Sequence, residues 1–216
     1  MTVPHRDFGV ESKLRILAAA ESLYARRSID SVSFREIAQA AGNGNTNAVQ
    51  YHFGDKAGLI HAIFAWRVWQ MEPSRGRGMD KAEAEGKSLH LPTLMRILCE
   101  PVLDLTDDQG RHTYAAFMNK FLMFQFPADM IHFADTHPEL SSNLRRVLNN
   151  IYSLVVAEDK HRGDYRVALS YMMVTNMIEL SDNEGIAKRS MAQFRNRFEV
   201  ALTMATAALQ RSLDHI

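Results

Sequence analysis

The sequence predicts an all-α chain: a small N-terminal unit of three helices, then a larger helical domain. Three observations carry this. Residues 33–59 read as two short helices around a glycine-bearing turn, with a third helix starting directly after them. From Leu91 onward only helical spacing recurs, with no period-two alternation and no glycine-flanked β-branched run. With 216 residues, 46% of them hydrophobic, the chain can bury a sizeable core. The expected divisions are residues 1–55, a linking helix over 56–71, and 72–216.

Residues 1–10 read as a short arm carrying His5 and Arg6. The first helix is expected over 11–27, with Ile16, Leu17, Ala20, Leu23 and Tyr24 as its apolar stripe and Arg26 and Arg27 complementing its dipole. Ser33 is an N-cap, and Glu36 stands where a capping box places its acid. Ile37, Ala40 and Ala41 form a small apolar face, and Gly42 supplies the positive-φ end of that helix. Asn43 and Gly44 continue the turn. A second short helix is expected from Asn45 or Thr46 to Phe53, its inner side made by Ala48, Val49 and Phe53. Gly54 stops it and Asp55 caps the next.

The outer side of that second helix has an unusual composition. Asn45, Thr46, Asn47, Gln50, Tyr51 and His52 all hydrogen-bond, and none carries a fixed charge. Such a face suits the DNA major groove: Asn and Gln pair bidentately with adenine, and a Thr methyl meets the thymine methyl. Tyr51 and His52 are placed to reach phosphates, and Lys56 falls in the first turn of the following helix, near a passing backbone. The alternative is a helical hairpin with a polar, solvated side. On its residues the segment resembles the DNA-binding domain of the TetR (tetracycline repressor-like) transcriptional regulators. The resemblance rests on Ile16, Leu17, Ala19, Ala20, Ser33, Ile37, Ala38, Ala41-Gly42, Tyr51-His52-Phe53, Lys56 and Leu59, within residues 11–60. It implies double-stranded DNA as a partner, with Ser33, Asn45, Thr46, Asn47, Gln50, Tyr51, His52 and Lys56 as the DNA-binding set. Ten residues separate Gly42 from Phe53, one more than in most family members, which leaves open whether Asn43, Asn45, Thr46 or Asn47 points at bases.

In the helix over 56–71, Leu59, Ile60, Ile63 and Phe64 make the inner side, with Trp66 and Trp69 adding bulk. Pro73 is expected to stop it, and the stretch through Ser88 reads as a mobile loop. Within it Arg75-Gly76-Arg77-Gly78 has an Arg-Gly pattern seen in minor-groove binders, beside the plainer reading of solvated charge. Helices follow near 91–105 (kinked at Pro101), 111–125, 128–134, 138–158, 163–181 and 187–213. Pro127 and Pro138 stand at boundaries, Pro138 opening its helix, and Gly163 and Gly185 mark late turns. In the last two helices Leu169, Met172, Met173, Met177 and Leu180, and then Met191, Phe194, Phe198, Leu202 and Leu209, cover more surface than one neighbour needs, while Ala201, Ala207 and Ala208 leave a side small. Such a pair suits a four-helix homodimer interface, and in the resembled family the last two long helices form one. The alternative is packing within one chain.

Lys plus Arg number 25, as do Asp plus Glu, so overall charge does not advertise nucleic acid. Residues 1–70 hold eight cations (Arg6, Lys13, Arg15, Arg26, Arg27, Arg35, Lys56, Arg67) against six anions (Asp7, Glu11, Glu21, Asp30, Glu36, Asp55). The single Cys99 forbids an internal disulfide and suits a reducing cytoplasm, and no leader or membrane-spanning run is expected. His132 and His137, five apart, do not share a helical face, and HExxH, CxxC, nucleophile-elbow, phosphate-loop and dinucleotide patterns are absent; the expectation is no enzyme, metal or cofactor. A small-molecule site is better supported by the Phe- and Met-rich run 117–133 together with Met172, Met173 and Met177. The candidate lining is Met118, Phe121, Leu122, Met173 and Met177, with Asn119, Gln125, His132 or Asn176 as polar anchors. The combined expectation is a homodimeric regulator, by family default a repressor, that binds a palindromic operator and is released by a small apolar or aromatic effector.

Overall fold

A computed structural model describes residues 8–43, 45, 47–125, 140–155 and 160–210. It is all-α, with no strand among those residues. Helix α1 spans Phe8–Arg26, and a 3-10 turn (Ile29–Ser31) leads to α2 (Phe34–Ala40), α3 (Ala48–Phe53) and α4 (Lys56–Ala84). Helix α5 (Leu91–Cys99) continues as a 3-10 turn over Glu100–Asp104, which absorbs Pro101. Then come α6 (Thr113–Gln125), α7 (Ser142–Val155), α8 (Lys160–Asn183), the short α9 (Ile186–Arg189) and α10 (Met191–Gln210). The expected helix over 128–134, the boundaries Pro127 and Pro138, residues 1–7 of the expected arm and the end of the last helix at 211–213 lie outside the described residues, while residues 8–10 of that arm are helical and open α1.

Sequence spacing becomes packing in the small unit. Ile16, Leu17, Ala20 and Tyr24 of α1 meet Ile37 of α2, Val49 of α3 and Leu59 and Ile63 of α4 in one buried cluster. Each large side chain buried this way contributes about 1.5–3 kcal/mol. The same cluster continues through Val68, Met71 and Met79 of α4 to Leu94, Met95 and Leu98 of α5 and Phe117 of α6.

Helix α4 corrects the expected stop at Pro73. It runs unbroken to Ala84, and the stretch expected as a loop is helical. A proline within a helix costs about 3 kcal/mol or more. Burial of Met79 and Ala82 beyond it, on a helix packed against α5 and α7, offsets that cost. The two glycines are contact points rather than loop residues. A Cβ on Gly76 would lie 3.1 Å from the Asn143 side chain, and one on Gly78 would lie 2.9 Å from Ile97 Cγ1. Glu72 strengthens this junction by accepting the amides of Asn143 (2.8 Å) and Leu144 (2.9 Å) at the start of α7. Gly163 is likewise corrected: it sits inside α8, whereas Gly185 keeps its turn with φ +66°.

The small unit is keyed to the rest by a buried ionic knot. Glu21 of α1, fully buried, receives Arg67 of α4 through Nε (2.6 Å) and Nη2 (2.7 Å) and the Thr113 hydroxyl of α6 (2.6 Å). Helix α1 also packs along α6, so the N-terminal unit and the larger domain share a wall.

Candidate nucleic-acid interface

Local chemistry fixes the geometry of the α2–α3 pair. Ser33 Oγ accepts the Glu36 amide, and a Glu36 carboxylate oxygen accepts both the Ser33 amide and its hydroxyl (2.8 Å each). Arg27 then bridges Glu36 (2.7 Å) and the Ser31 carbonyl (2.7 Å), pinning the end of α1 to the start of α2. The Ser33 backbone amide and then Arg27 hold the Glu36 carboxyl at about 2, well below its ordinary 4.5. At the other end Gly42 adopts φ +65°, its amide donating to the Gln39 carbonyl (3.0 Å) while Asn43 donates to Ala38 (2.9 Å). That pair of bonds is a Schellman close, and it satisfies carbonyls the helix leaves open.

The lengthened turn folds on its own asparagines. Asn43 Oδ1 accepts the Asn45 amide (3.0 Å), and Asn45 Oδ1 accepts the Asn47 amide (3.0 Å). These are two successive Asx turns. Asn43 Nδ2 also donates to Ser12 Oγ of α1 (3.3 Å), so Asn43 faces inward and is half-buried. The extra residue is thus taken up before α3, which begins at Ala48 rather than at Asn45 or Thr46. Thr46 itself lies outside the described residues.

The short α3 buries Ala48 and Val49 and turns Gln50 and Tyr51 outward; Tyr51 is 85% exposed. Asn45 and Asn47 are exposed beside them, and His52 is half-buried, its ring 5.2 Å from that of Tyr51. Gly54 (φ +74°) ends α3, and Asp55 caps α4 by accepting the Gly58 amide (2.7 Å). A Cβ on Gly58 would fall 2.2 Å from the Phe53 carbonyl oxygen, so glycine there sets how closely α4 leaves α3.

Two candidate residues have structural duties. Ser33 spends its hydroxyl on the capping box. Lys56 Nζ donates to the Ile29 (3.0 Å) and Asp30 (2.9 Å) carbonyls, tying α4 to the 3-10 turn and leaving one N–H of three for anything else. Arg35, which was not among the expected contacts, stands exposed on α2 with no ion-pair partner among the described residues. Its signal in the sequence was its place in the first turn of α2, two residues after the N-cap.

The ligand candidates lie on α6 and α8, which pack on each other, in different environments. Phe121 is buried with its ring 4.9 Å from Phe64, Leu122 is buried, and Met118 and Met177 are half-buried against the core. Met173 is exposed on the outer side of α8. Among the expected anchors, Asn119 is held by Glu179 (2.7 Å) and Thr175, and Asn176 by the Met172 carbonyl (2.9 Å); the Gln125 side chain and His132 lie outside the described residues.

A capped, glycine-punctuated pair of short helices, braced by a first helix and presenting an uncharged hydrogen-bonding face, defines a helix-turn-helix DNA-binding transcriptional regulator. Residues 16–63 match the family described as bacterial regulatory proteins, tetR family, from within α1 into α4. The match covers the helix-turn-helix part of the chain and marks it as similar to DNA-binding transcriptional regulators of that family. No curated protein matches the chain. No helix among the described residues is long and apolar enough to cross a membrane.

Proposed function

We propose that the protein is a ligand-responsive repressor that binds a palindromic operator as a homodimer. The exposed face of α3 carries this reading. Gln50 and Asn47 supply bidentate amides for base edges, Tyr51 and His52 flank them, and Arg35 supplies a phosphate contact in place of much of the role expected of Lys56.

The dimer reading is supported by an apolar surface that one chain leaves open. Leu169 (60% exposed), Met173 and Leu180 line the outer side of α8; Val200 and Met204 (56% exposed) line that of α10. Helices α8 and α10 pack on each other, Val174, Ile178, Phe198 and Leu202 are buried, and both helices leave apolar side chains exposed. Exposed apolar surface of this extent marks an interface, and two copies meeting there make a four-helix arrangement. Ligand response is supported by the Glu21–Arg67–Thr113 knot and the α1–α6 wall, which pass any displacement of α6 to the DNA-reading unit. DNA and effector then weaken each other by one common factor.

A footprint on the DNA upstream of the protein's own gene tests this. Two symmetric protected half-sites about one turn, roughly 34 Å, apart are expected. A single, unsymmetric protected site contradicts the dimeric reading.

A further inference from the structure

Helix α4 carries two buried arginines on one stripe, and they are treated very differently. Arg67 has a bidentate carboxylate in Glu21 and a further acceptor in Gln70 (2.9 Å). Two turns on, Arg75 is 2% exposed, yet its Nε and Nη1 have no hydrogen-bond partner among the described residues. Its Nη2 meets only the Met71 thioether at 3.5 Å, a weak acceptor. The nearby carboxylate, Glu72, stands 3.9 Å from Nη1 and is already engaged by the α7 amides. A buried charge without hydrogen-bonding partners is costly to the fold, and arginine's planar donors match a carboxylate.

The surroundings complete the site. The Arg75 charge reaches Cys99, Tyr114 and Tyr171. Burial raises both phenols above the ordinary tyrosine range, and Arg75 only partly opposes it, so both hydroxyls keep their protons and can donate. Tyr114 follows Thr113 of the ionic knot and feels Glu21 and Arg67 as well as Arg75.

We infer that Arg75 is the anion-binding residue of an internal effector site, and that the effector is a small organic carboxylate with an apolar body. Its acid group pairs with the open guanidinium nitrogens, Tyr114 and Tyr171 offer further donors, and its body lies against Met71 and the aromatic rings. Because Arg75 lies on α4, occupancy acts on the helix that leaves the DNA-reading unit. The inference rests on the ligand-responsive reading above and adds an acid group to the small apolar or aromatic effector expected from the sequence.

The test is calorimetric titration of the full chain with benzoate, 4-phenylbutyrate and decanoate, each beside its uncharged alcohol. At least one acid is expected to bind at least about tenfold more tightly than its alcohol, the scale of one good ionic contact. Arg75→Met should lose that preference while keeping its helical circular dichroism, and Arg75→Lys should retain part of it. Binding by none of the acids, equal binding of acid and alcohol, or an acid preference that survives in a folded Arg75→Met overturns the inference. If Arg75→Met does not fold, Arg75→Lys decides: affinity for acid and alcohol reduced alike overturns it. Titration of upstream DNA without any acid keeps the two readings apart. Specific DNA binding that persists while acid binding fails removes only the inference; its absence removes the regulatory reading itself.

Discussion

At the scale of single residues, the DNA-facing surface divides into side chains free to read and side chains that hold. Gln50 is free, and Gln50→Ala is expected to cost about 1–3 kcal/mol on the correct operator while leaving other sequences almost unchanged. Arg35→Ala should weaken all sequences alike and reduce the salt dependence by about one counterion. Competition titrations on operator and shuffled DNA measure both; uniform weakening by Gln50→Ala would misplace the reading face. Glu36 holds. Its carboxyl is lowered to about 2 in the folded chain from an ordinary 4.5, so its ionised form favours folding. That contribution is complete above pH 4.5 and is lost as pH falls through about 2. The stability gap between wild type and Glu36→Gln in urea melts should therefore close over that interval, and a gap independent of pH would contradict the assignment. Ser33, Glu36, Gly42 and the uncharged α3 face were legible in the sequence because cap and turn chemistry is local. The inward turn of Lys56 was not, since the carbonyls it binds lie 26 and 27 residues away.

At the scale of elements, glycine has two uses here, and sequence distinguishes them poorly. Gly42, Gly54 and Gly185 take positive φ and end helices, as their positions suggest. Gly58, Gly76 and Gly78 are helical, and their lack of a Cβ admits Phe53, Asn143 and Ile97. Pro73 with Arg75-Gly76-Arg77-Gly78 has the composition of a loop, and only partners far along the chain make it a helix. Gly58→Ala separates the two uses. In an ordinary helix interior the change favours folding by about 0.5–1 kcal/mol. Here the new Cβ meets a backbone carbonyl, so we expect a lower Tm and lost DNA affinity, measured by thermal melts and anisotropy. A Tm gain would contradict the close α3–α4 approach.

At the scale of the whole molecule, α1 belongs to both parts: it packs on α2 and α4, and it packs along α6. The helical class and the three-helix head were visible in sequence because periodicity and capping repeat over many residues. Which Met and Phe side chains turn inward was not, since their spacing reads alike whether a side chain packs in the core, as Phe121 does, or faces outward, as Met173 does. The outward apolar face of α8 and α10 leads to a prediction at this scale. Leu169→Glu with Met204→Glu should yield a folded monomer by sedimentation velocity and should weaken operator binding by more than the single-site mutations. An unchanged dimer would move the interface elsewhere.

The most direct measurement is a fluorescence anisotropy titration of the DNA immediately upstream of this protein's gene, with shuffled DNA as competitor. Sequence reading by the α3 face predicts saturable binding that survives excess competitor and is lost with Gln50→Ala. Binding that competitor and salt abolish equally would contradict it, leaving a helix-turn-helix that holds DNA without reading it at this site.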